Sequence, residues 1–98
     1  MSRQRYLVCY DIRADDRLRA VHRVARMFGH PLQYSVFACD LNRSERVRME
    51  QALRDVMLLS IDSVVFVDLG DAKGRGTECF RFLGYRPYRL PKGGPTIV

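Results

Sequence analysis

Asp11 closes a run of β-forming residues, Tyr6-Leu7-Val8-Cys9-Tyr10-Asp11-Ile12, and Arg13-Ala14-Asp15-Asp16-Arg17 follows at once. A single carboxylate at a strand end, set among dense positive charge, is a place for metal-assisted chemistry on phosphate. A hard cation such as Mg²⁺ takes one or two carboxylates and completes its shell with water and phosphate oxygens. Bound there, it would polarise a phosphoryl oxygen and activate a water. One aspartate per chain is too few, whereas two copies across a twofold axis would supply two. Taken without that partner, Asp11 equally suits a plain turn or cap. Asp15 and Asp16 suit the positive end of a following helix better than a metal.

Positive charge is the second feature. Arg13, Arg17, Arg19, Arg23 and Arg26 crowd into one stretch, and a row of arginines neutralises regularly spaced phosphates without reading bases. No recognition-helix signature accompanies them, so binding is expected to follow shape and salt rather than sequence. Arg43, Arg46, Arg48 and Arg54, interleaved with Glu45, Glu50 and Asp55, read as a solvated helix face. Asp40 and Asp68 each end a strand-like run and read as turn residues. His22 and His30 have no nucleophile or metal partner visible and read as structural. Tyr34 and Phe37 suit packing as well as function.

The elements that must position these residues follow from pattern. Residues 6–12 are apolar on both faces, as in an inner strand. Residues 15–29 form a helix, with Leu18, Val21, Ala25 and Phe28 as its buried stripe and Gly29 with Pro31 as its stop. Residues 32–39 are strand again, either one or two kinked near Ser35. Asn42-Arg43-Ser44-Glu45 is a capping box opening a second helix to about Leu59. Val64–Leu69 is a strand ended by Gly70, and residues 79–83 suit another. From Gly84 the chain turns Pro/Gly-rich and basic, and Thr96-Ile97-Val98 could add to an exposed edge, its own or a partner's.

This order predicts an α+β, ferredoxin-like βαββαβ sandwich, with an antiparallel sheet and both helices on one face. The domain spans 1–83, and 84–98 is a tail that could be exchanged with a partner. The other sheet face stays apolar and uncovered, which predicts a homodimer packed through the sheets.

The bulk numbers bound the class. At 98 residues, with 47% hydrophobic content and a mean hydropathy of -0.22, the chain reads as one globular domain. No apolar run reaches the ~20 residues of a membrane span. Met1-Ser2-Arg3-Gln4-Arg5 leads straight into a strand, so no leader is expected and the cytoplasm is the expected compartment. Cys9, Cys39 and Cys79 have no zinc-ligand spacing and read as buried thiols in a reducing compartment. The net charge is +6, and all the basic residues but Lys73 and Lys92 are arginine. That skew favours a polyanion, although arginine-rich coding alone would also produce it.

Tyr-Leu-Val-Cys-Tyr-Asp-Ile, then Leu-Gln-Tyr-Ser-Val-Phe-Ala-Cys-Asp-Leu, then Asp-Ser-Val-Val-Phe-Val-Asp-Leu-Gly, spanning roughly residues 5–70, resemble the second CRISPR-associated protein family. This is the small ferredoxin-like subunit of the spacer-acquisition machinery. The resemblance implies a homodimer that brings its two copies of Asp11 together around one Mg²⁺, or Mn²⁺. It implies that the dimer bridges the CRISPR integrase and lays double-stranded DNA across its basic surface. It also implies an endonuclease activity on RNA or DNA that some members show and others lack, with single-stranded RNA as one substrate. By residue, Asp11 matches the family's metal-binding aspartate, Tyr10 the aromatic before it, Arg19 a helix arginine and Phe37 the phenylalanine after Ser-Val. An arginine some members carry just before Gln-Tyr-Ser-Val-Phe is absent, and Pro31 and Leu32 stand in that region. The competing expectations are a free-standing, toxin-like Mg²⁺ endoribonuclease and a non-catalytic structural dimer.

Overall fold

The computed structural model describes residues 2–74, 79–85 and 96–97. In chain order they form β1 (Gln4–Asp11), α1 (Asp15–Phe28), β2 (His30–Gln33), β3 (Val36–Leu41), α2 (Arg43–Val56), β4 (Ser63–Asp71), β5 (Arg81–Phe82) and β6 (Thr96–Ile97). The first four strands pair antiparallel in the order β2-β3-β1-β4. This is the ferredoxin-like sandwich that the pattern predicts.

Strand alternation sorts the side chains onto two faces. Val8 and Tyr10 of β1, with Phe37, Cys39 and Leu41 of β3, pack against Val21 and Ala25 of α1 and Met49 and Leu53 of α2. Val64 and Phe66 of β4 extend this core. The opposite face carries Leu7, Cys9, Val36, Ala38, Val65 and Val67, which the register sets side by side. No helix among the described residues covers it, and Val65 and Val67 stay 50% and 40% exposed. At one end of this face Arg5 is buried in a two-pronged pair with Asp40, at 2.6 and 2.7 Å. Cys79 acts on Arg5 electrostatically, so the segment that carries it lies near that end.

Several boundaries differ from the pattern, each for a local reason. The 32–39 stretch is two strands separated by a Tyr34-Ser35 turn. α2 stops at Val56 rather than Leu59, because the Leu58 amide is taken by the Asp62 side chain instead of continuing the helix. β4 runs through Gly70 to Asp71. Gly70 adopts φ +96°, open to glycine at little cost, at a bulge where Asp68 accepts its N–H at 2.8 Å. Asp40 is not a turn residue: it lies within β3, opposite Arg5.

The two helix ends are as read. Asn42 and Glu45 exchange both capping-box hydrogen bonds, at 2.8 and 2.9 Å. Arg3 grips the same Glu45 with two further bonds, and that grip pulls the Glu45 carboxyl down to about 2. Gly29 ends α1 where the chain passes against β3: a Cβ there would clash with Cys39 Sγ and meet the Ala38 carbonyl at 2.6 Å.

β5 and β6 form a parallel pair apart from the main sheet, so residues 96 and 97 add to the chain's own edge. The remainder of the 84–98 tail, apart from 84–85, lies outside the described residues, as do Arg75, Arg86, Arg89 and Lys92. No helix among the described residues is long and apolar enough to cross a membrane.

Candidate functional site

Asp11 is the last residue of β1, opposite Ser63 of β4 at the edge of the helix-free face. Its side chain is 67% exposed and pairs with Arg13 at 3.2 Å. The strand holds the carboxylate at the rim, and the loop that follows supplies its counter-charge.

That loop is anchored by Asp62, whose role no local pattern in the sequence reveals. Its side chain is fully buried and binds three groups. It accepts the Arg13 amide at 2.9 Å, the Leu58 amide at 2.9 Å, and the Arg17 guanidinium at 2.7 and 3.2 Å. One carboxylate thus ties the β1–α1 loop to the α2–β4 connection. The Arg17 bonds above all, helped by the two amides, hold the Asp62 carboxyl well below its usual range. The sequence signal was the position of Arg17. At about 100° per residue it falls on the side of Val21, away from Arg19.

Arg19, Arg23 and Arg26 are the outward row of α1. All three are exposed, and they fall within about 60° of one another around the axis. Of the five arginines grouped by sequence, the structure therefore brings three together. It sets Arg13 beside Asp11 and commits Arg17 to Asp62. On α2, Arg46 pairs with Glu50 one turn on, at 2.6 Å, as expected of a solvated face.

Tyr10 and Phe37 lie elsewhere. Both are buried, with rings stacked on the helix side of the sheet. The Tyr10 hydroxyl donates to the Tyr34 carbonyl at 2.9 Å and lies 2.7 Å from His22 Nδ1. That nitrogen is also 3.1 Å from the same carbonyl. The imidazole lies flat on the Tyr34 ring, with centroids 4.4 Å apart and planes 8° apart, and edge-on to Phe37. Burial pushes the His22 imidazole below its usual range. His22 is structural, as read; its partners are aromatic, a link that sequence spacing does not reveal. Cys39 is buried in the core, and that burial pushes its thiol up to about 12.

The comparisons with known proteins agree with this fold. The family model for the CRISPR associated protein Cas2 matches residues 4–75. The chain belongs to the Cas2 family. A protein of Geobacter sulfurreducens named CRISPR-associated endoribonuclease Cas2 is 40% identical over 68 residues, covering 69% of this chain and 72% of that one. A Rhodospirillum rubrum protein named CRISPR-associated endoribonuclease Cas2 1 is 35% identical over 68 residues, 69% and 67% of the two chains. The crystal structure of Streptococcus pyogenes Cas2 at pH 6.5 superposes with a TM-score of 0.62 at 31% identity, covering 67% of this chain and 86% of that one. A further structure, described as cas2, gives 0.74 at 21% identity over 92% and 97%, a likeness of fold.

Within this Cas2 chain the donor chemistry for a metal is present in part. Asp11 offers a hard oxygen at an open position, which suits Mg²⁺ or Mn²⁺. Among the described residues no three His, Cys, Asp or Glu side chains gather to hold a metal ion. Asp11 by itself is too few ligands for such an ion.

Proposed function

We propose that this chain works in CRISPR spacer acquisition as a homodimer that holds double-stranded DNA on its basic surface and bridges the CRISPR integrase. We further propose that its paired Asp11 side chains form an Mg²⁺-dependent endonuclease site for RNA or DNA, with Mn²⁺ able to substitute. One observation carries the reading: Asp11 stands exposed at the rim of a helix-free apolar face, so a second copy laid on that face would bring a second Asp11 to it. Family membership and the names of the relatives support the same reading.

In this dimer the two Asp11 carboxylates would hold the ion, which when bound supplies phosphoryl polarisation and a water of lowered pKa. Arg13, already at the rim, would hold a phosphate oxygen. Arg19, Arg23 and Arg26 would carry the flanking backbone without selecting bases. A second reading, an architectural subunit that binds but does not cut, is favoured by the pairing of Asp11 with Arg13, which places a counter-charge on the carboxylate that would hold the ion. Asp11→Asn separates the two. The cutting reading expects Mg²⁺-dependent cleavage of labelled RNA or DNA by the native chain, and its loss in the variant with duplex binding unchanged. Absence of cleavage by the native chain across Mg²⁺ and Mn²⁺, with duplex binding intact, would leave the architectural reading. Light scattering that shows only single subunits at micromolar concentration would sink both.

A further inference from the structure

The turn between β2 and β3 presents an aromatic ring in an unusual state. Tyr34 is 49% exposed, yet it is not a loose surface side chain. One face of its ring rests on His22, nearly parallel. Its backbone carbonyl is bonded by the Tyr10 hydroxyl, which also contacts His22. Ring and backbone are thus both held, with one ring face on His22 and about half of the residue still exposed.

The surroundings are cationic. His22 lies one helical turn from both Arg19 and Arg26, and Arg26 is near enough to act on it electrostatically. Arg19, Arg23 and Arg26 are all exposed. A fixed, half-exposed ring beside a row of arginines is the combination that grips single strands: the cations follow the backbone and the ring stacks a base. Fixing the ring in advance removes the ordering cost that a mobile side chain would carry. The turn is also joined to β1, since the Tyr10 amide donates to the Ser35 carbonyl at 3.2 Å, one residue before Asp11.

We propose that Tyr34, backed by His22, is a stacking platform for one unpaired nucleobase of a single strand of RNA or DNA bound along the α1 arginines. The inference rests on the reading of this chain as a nucleic-acid binder and adds a preference for unpaired bases. A duplex buries its base faces and gains nothing from the ring. Stacking is tolerant of base identity, so the platform favours single strands without choosing a sequence.

The test is binding by the full chain, in EDTA to prevent cleavage, to four labelled probes. These are a mixed-sequence 12-nucleotide DNA, the same sequence as RNA, an abasic strand of equal length, and a duplex. The native chain is expected to hold the two base-bearing strands about tenfold or more tighter than the abasic one. Tyr34→Ala should bind all three single strands at the abasic level, with the slope of log affinity against log salt and duplex binding unchanged. Tyr34→Phe, which keeps the ring, should match the native chain and guards against a fold effect. Equal native binding of abasic and base-bearing strands overturns the platform while nucleic-acid binding stands, as does Tyr34→Ala at native affinity. So does an equal loss of duplex and single-strand binding in Tyr34→Ala. A native chain that binds none of the probes overturns the nucleic-acid reading itself, and the platform with it.

Discussion

The two faces of the sheet are made from the same strands and almost the same residue types, yet they end in opposite states. On one side Val8, Phe37 and Cys39 are sealed under α1 and α2. On the other, Leu7, Cys9, Val36, Val65 and Val67 meet no helix among the described residues, and the two valines of β4 stay about half exposed. The reason is handedness. The β1-α1-β2 and β3-α2-β4 crossovers each join parallel strands, and such crossovers are right-handed. β1 and β3 run in opposite directions, and the two crossovers step in opposite directions along the sheet. The two reversals cancel, so both helices fall on the same face. Burial alone therefore does not follow from apolar character; it follows from where the connections pass.

Breaking the closed side should have the largest effect. Phe37 is fully buried and touches both Tyr10 and His22, so Phe37→Ala should cost about 3–5 kcal/mol. Chemical denaturation of the isolated domain would read this directly, and a cost near that of a surface substitution would mean the core can collapse around the gap.

Acid should act next, through carboxylates that brace the closed side from its rim. Glu45 and Asp62 both have their carboxyls lowered by arginine partners, Arg3 and Arg17. A lowered carboxyl contributes stability that is fully present above its ordinary range and lost as the pH falls toward its folded value. Thermal stability should therefore hold above about pH 4.5 and decline as the pH drops toward 2, the window set by Glu45. Glu45→Gln should flatten part of that decline. A melting temperature that is level from pH 5 to pH 2.5 would show that these pairs do not stabilise the fold.

The smallest effect on the fold, and the sharpest contrast, belongs to the open side. Val65→Asp should change the stability of a single subunit by no more than about 0.5 kcal/mol, since the residue is half exposed. On the homodimer reading it should nonetheless separate the two copies, because a charge would be buried between them. Sedimentation at matched concentrations checks both halves of the expectation.

Much of the fold was legible because its signals are local. Asn42 and Glu45 capping α2 lie three residues apart, and Gly29 with Pro31 stops α1 within a few residues of the last buried side chain. Contacts from far along the chain leave no such local signal. The helical pattern extends α2 to Leu59, because nothing near Leu58 indicates that Asp62 takes its amide. Asp40 looks like a turn residue in sequence because its partner, Arg5, is 35 residues away. The same holds in the candidate site: Asp11 and the α1 arginines could be picked out from their neighbours. The diversion of Arg17 to Asp62 and the seating of Tyr34 on His22 could not.

The sequence by itself determined the βαββαβ order, the apolar character of both sheet faces, and one carboxylate at a strand end among arginines. Those properties follow from periodicity, capping and charge, which act between residues close in the chain. Tertiary structure decided which face closes, which arginines remain exposed, and which aromatic stands ready at the surface. Those depend on pairings between distant segments, and their energies exist only once the strands and helices have been brought together.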